Sequence, residues 1–78
     1  MPLRNDLVQM ANQIAANFLH HGPEVAASEV AAHLKRFWAP PMRAELLANL
    51  DDGRLDPIVV RAGELLRELE SAGSNSAS

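Results

Sequence analysis

A chain of 78 residues without a single cysteine has only its own packing, or a partner, to hold it together. The missing thiols remove a disulfide framework, a thiolate zinc site and a cysteine-ligated iron–sulfur cluster at once. The packing available is modest. Hydrophobic residues make up 47% of the chain, but 13 of them are Ala, which buries little area. A core this small supplies roughly 3–5 kcal/mol. A partner surface is the expected reinforcement.

The same residues dictate the fold class. Thr and Tyr are absent and Val and Ile are few, whereas Ala and Leu are abundant, so strands are disfavoured and helices favoured. Gly22-Pro23, Ala39-Pro40-Pro41 and Asp51-Asp52-Gly53 divide the chain into four segments. The first runs from about Asp6 to His20, capped by Asn5 or Asp6, with Leu7, Met10, Ala11, Ile14 and Phe18 as its apolar stripe. The second runs from Pro23 to Phe37, with Ala27, Val30, Ala31, Leu34 and Phe37 inward. The third runs from near Pro41 to near Asp51, with Leu46, Leu47 and Leu50 inward and Gly53 as terminator. The fourth opens on Asp56-Pro57, an N-cap followed by proline, with Leu55 and Val60 placed as a hydrophobic staple. Val59, Ala62, Leu66 and Leu69 make its stripe. The expectation is one all-α domain of four short helices over residues 1–70, followed by a disordered tail at 71–78 made of small residues and Asn.

Charge and chemistry narrow the function. A net charge of −3 argues against a general nucleic-acid binder and against a basic membrane-surface helix. No apolar run approaches a membrane span, and the N-terminal residues do not read as a signal peptide, so a cytoplasmic protein is expected. His20 and His21 read as helix-end residues and His33 as a packed or interface histidine, so no metal and no cofactor are expected. Ser28 lies inside a helix, and the four glycines form no phosphate-binding loop. Nothing assembles an active site, and the chain is expected to be non-catalytic by itself.

Two features point to a partner. From Leu7 to Pro23 there is no Asp, Glu, Lys or Arg, and the polar stripe of the first helix is made of amides, among them Gln9, Asn12 and Gln13. An amide is covered at lower cost than a charge, because it both donates and accepts hydrogen bonds. The second is the run Lys35-Arg36-Phe37-Trp38-Ala39-Pro40-Pro41-Met42-Arg43. Trp, Met and Arg are enriched at interface cores. If Phe37 completes the inward stripe, Trp38 turns about 100° away and is free to enter a partner pocket, with Met42, Arg36 and Arg43 beside it.

These residues also carry a resemblance. Met10-Ala11-Asn12-Gln13-Ile14-Ala15, then His33-Leu34-Lys35-Arg36-Phe37-Trp38, then Pro40, Met42-Arg43 and Leu55-Asp56-Pro57 are similar, in order and spacing, to the delta subunit of NAD-dependent formate dehydrogenases. Ala39 and Pro41 depart from the pattern, which usually has a polar or charged residue at each place. The resemblance implies a cytoplasmic, multisubunit, molybdenum- or tungsten-dependent enzyme whose larger subunits carry the metal cofactor, the clusters and the flavin. It implies for this chain an accessory role in assembly or stability, with those larger subunits as partners. Two other readings stand beside it. One is a helix-turn-helix-like DNA-binding module using Lys35, Arg36 and Arg43. The other is a self-associating helical module, which includes a homodimer of the isolated chain.

Overall fold

The computed structural model describes residues 3–76, with side chains as far as Glu70. Four α-helices and no strand are found among them: α1 (Asn5–Phe18), α2 (Pro23–Phe37), α3 (Pro40–Leu47) and α4 (Pro57–Ser76). A single 3-10 turn, Leu19–His21, closes α1. The backbone of α4 thus runs past Glu70, where the sequence reading ends the domain. The expected tail at 71–78 falls outside the described residues in its side chains, and altogether at 77 and 78. No helix among the described residues is long and apolar enough to cross a membrane.

Helix α2 is central and packs on α4 over the longest contact and on α1 over a shorter one. The largest fully buried side chains come from all four helices: Leu7, Val30, Leu34, Leu46, Val59 and Leu66. The stripes are rotated from those read in the sequence. On α1 the buried residues are Leu7, Val8, Ala11 and Ala15, while Met10 is exposed and Ile14 and Phe18 are half-buried. On α2 they are Ala26, Ala27, Val30, Ala31 and Leu34, and on α4 Leu69 is exposed. The cause is the alanine content. Ala11 and Ala15 on α1 and Ala26, Ala27 and Ala31 on α2 are buried faces of little bulk, against which helix backbones approach closely, leaving bulkier residues at the flanks. The stripes read from the sequence include Ala11, Ala27 and Ala31 but extend to Met10, Phe18 and Phe37 in place of Ala15 and Ala26, and are offset by that much.

The helix ends also differ from expectation in ways the hydrogen bonds explain. The N-cap of α1 is Arg4, with no side-chain cap, so Asn5 and Asp6 lie inside the first turn instead of capping it. Ala39 caps α3 with no side-chain bond, and Pro40 and Pro41, which lack N–H groups, reduce the need for one. Helix α3 stops at Leu47, not near Asp51. Asn49 Nδ2 donates to the Glu45 carbonyl at 2.8 Å, and Asn49 N turns to Leu46 O at 3.0 Å, so the side chain takes the acceptor that would continue the ladder. Gly53 is no left-handed terminator; among the described residues only Gly22 has positive φ, at 91°, between the 3-10 turn and Pro23. Asp56 does cap α4, its Oδ1 accepting from Ile58 N at 2.8 Å, and Leu55 is buried beside half-buried Val60.

A polar knot fastens the loop before α4 to the N-terminal segment. Asn12 Nδ2 donates to Arg54 O at 3.0 Å, and Asn12 Oδ1 accepts from Asp56 N at 2.8 Å. Arg54 Nη2 donates both to Leu3 O at 2.7 Å and to Asp52 Oδ2 at 2.8 Å. Asn12→Ala strands a backbone donor and an acceptor and is expected to destabilise the chain by about 1–3 kcal/mol in urea unfolding. Hydrogen bonds from the Arg54 guanidinium, then from its backbone N–H, hold the Asp52 carboxyl at about 2, below its ordinary 3.8, against the opposing effect of burial. A depressed carboxylate favours the fold above the unfolded value and loses that contribution as pH falls through the folded one. Stability is therefore expected to decline between about pH 4 and pH 2, and Asp52→Asn to flatten that part of the curve when unfolding midpoints are measured against pH.

Candidate partner-binding surface

Trp38 is buried, at 6% exposure, and Phe37 is 67% exposed, the reverse of the expected assignment. The reason lies in the helix end. The 100° step between neighbours holds only while the helix continues, and α2 ends at Phe37. Trp38 is the C-cap with extended backbone, φ −85° and ψ 139°, and its ring folds back onto the core. Pro40 reinforces the turn by pushing Ala39 to an extended ψ of 145°.

Arg43 locks this corner. Its Nη1 donates to the carbonyls of Trp38 at 2.6 Å, Lys35 at 3.1 Å and Leu34 at 3.4 Å. These carbonyls lie at the negative end of α2, which a guanidinium suits in both geometry and charge, although the Leu34 carbonyl also accepts the Trp38 N–H at 3.1 Å. So Arg43 is engaged within its own chain, as Asn12 is, and Met42 is half-buried against the core. Of the residues read from sequence as partner-binding, Trp38, Met42, Arg43 and Asn12 serve the fold. Gln9, Gln13 and Arg36 stay exposed.

The exposed ones gather along one face. A groove between α1 and the end of α2 is lined by Gln9, Met10, Gln13 and Ile14 on one side and by His33 and Phe37 on the other, with Trp38 also in its wall. Met10 is 43% exposed. Met10 and Ile14, like His33 and Phe37, are one helical turn apart, so each wall is a row. The His33 and Phe37 rings lie 4.7 Å apart, tilted by 45°, and the Arg36 guanidinium sits 5.8 Å from the Phe37 centroid. Burial orders Trp38 from beneath, while Phe37 stands largely exposed beside His33 and Arg36. An exposed aromatic bordered by Met and uncharged amides is the pattern of an interface core. Met10, Ile14 and Phe37 carry no partner-binding signal in the sequence, because a helical stripe assigns all three to the core.

Elsewhere the chemistry is sparse. His20 and His21 stack 4.2 Å apart at the end of α1, with the Phe18 ring 6.1 Å from His21. Among the described residues no three His, Cys, Asp or Glu side chains gather as a metal-binding group.

This arrangement defines a small all-α domain: an apolar core with no buried charge among the described residues, and an aromatic-edged groove facing outward. The family described as the NADH-dependent formate dehydrogenase delta subunit FdsD matches residues 6–62, and the chain belongs to that family. No curated protein and no solved structure shows significant similarity to it. The match spans both walls of the groove, the Trp38 corner and, of the polar knot, Asn12, Asp52, Arg54 and Asp56.

Proposed function

We propose that this chain is a non-catalytic accessory subunit of a cytoplasmic NADH-dependent formate dehydrogenase, and that it supports assembly or stability of the complex by docking on a larger subunit. The observation that carries the reading is Phe37, two-thirds exposed on an uncharged groove in a member of the delta subunit family. Gln9, Met10, Gln13 and Ile14 supply the α1 wall of the docking surface, and His33, Phe37 and Arg36 the α2 side. The molybdenum or tungsten cofactor, the clusters and the flavin belong on this reading to the larger subunits. An Ala-diluted core of this size is stabilised further by any partner that binds only the folded state.

The test is to produce the larger subunits with and without this chain and to compare yield of assembled complex, thermal midpoint and formate-dependent NAD reduction. The expected result is a lower yield and a lower midpoint without the chain, with no activity from the chain alone. Undiminished yield and midpoint without it, or formate oxidation by the isolated chain, would contradict the reading.

A further inference from the structure

Opposite its buried stripe, α2 presents Glu29, Ala32 and Arg36, with His33 and Phe37 on the flank; all five line one shallow depression. Glu29 and Arg36 are seven residues apart, about 10 Å along the helix, too far to pair with each other. Neither has an ion-pair partner among the described residues. The other arginines are engaged. Arg4 faces Asp6 and Glu45, Arg54 binds Asp52, Arg61 reaches Glu24 and Glu64, and Arg43 and Arg67 donate to backbone carbonyls. One unpaired acid and one unpaired base therefore stand two turns apart on the outermost face of the helix, with the small Ala32 between them.

That pattern is complementary to itself. We infer that the isolated chain forms a two-fold dimer through this face of α2, with the two helices antiparallel. The axis passes between Ala32 and His33. Glu29 of one copy then lies opposite Arg36 of the other, and the same pair repeats across the axis. Ala32 of each copy meets the other beside the axis, and its small side chain lets the helices approach closely. Two equivalent ion pairs at the rim of an apolar contact set register and orientation, and the association weakens as salt is raised. His33 also lines the α1–α2 groove, so a second copy and a larger subunit compete for it.

The dimer is tested on the isolated full-length chain, with no other subunit present, so its outcome is separate from that of the docking reading. Sedimentation equilibrium is measured for the wild type, Glu29→Arg, Arg36→Glu and the double exchange Glu29→Arg/Arg36→Glu, with circular dichroism confirming that each variant is folded. The wild type is expected to dimerise. Each single reversal places like charges opposite one another and should weaken dimerisation at least tenfold, and the double exchange should restore it. A wild type that stays monomeric across the accessible concentrations overturns the inference, and so does a double exchange that fails to recover what the single reversals lose.

Discussion

Trp38→Ala is expected to unfold most of the isolated chain. Truncating a buried Trp costs about 3–5 kcal/mol, from lost burial and from the cavity left behind. The core of a chain this size supplies a total of the same order. Trp38 also closes the α2–α3 corner, since its carbonyl accepts the shortest of the Arg43 hydrogen bonds, at 2.6 Å. The substitution keeps that main-chain carbonyl, so the loss is the packing of the ring beneath the corner. Circular dichroism and urea unfolding of the variant provide the measurement. A cooperative transition close to that of the wild type would mean that the ring does not hold the corner. Added larger subunit should partly rescue the variant, because a ligand of the folded state draws the equilibrium toward it.

Phe37→Asp should do the opposite. The side chain is 67% exposed and is absent from the core, so the free chain should change by no more than about 0.5 kcal/mol. Association with the larger subunit should weaken by about 2–4 kcal/mol, since a carboxylate would replace the most exposed apolar anchor of the groove. Titration of the larger subunits with the variant, read beside its unfolding curve, separates the two effects. An unchanged affinity would move the docking surface away from α2.

The helix count, the breaks and the Asp56-Pro57 start of α4 are legible in the sequence because local chemistry alone determines them. Proline at a first turn and a carboxylate one residue earlier need no tertiary context. The faces are less legible. Ala15 and Ala26 are wholly buried, yet a stripe weighted by bulk passes beside them. The offset put Met10 inside and Val8 out. At the candidate site, amides and an aromatic–cation run are visible in the sequence, and the structure leaves Gln9, Gln13 and Arg36 exposed. Which polar groups were already engaged was not visible. Asn12 meets Arg54 and Asp56 more than forty residues away, and Arg43 reaches back over a turn to the end of α2. Those partners are brought close only by the folded chain. Trp38 and Phe37 were exchanged for a local reason: the helix stops between them, and a helical angle cannot be carried across its own end.

The claim that the α1–α2 groove is the docking surface is tested most directly by hydroxyl-radical footprinting of this chain, free and dilute, and then within the assembled formate dehydrogenase. Met10 and Phe37 are reactive side chains, exposed in the free fold, on opposite walls of the groove. Leu19 and Val25, also exposed but outside the groove, serve as internal references. The account predicts strong protection of Met10 and Phe37 together in the complex, with Leu19 and Val25 changing little. Met10 and Phe37 remaining as reactive in the complex as in the free chain would contradict it.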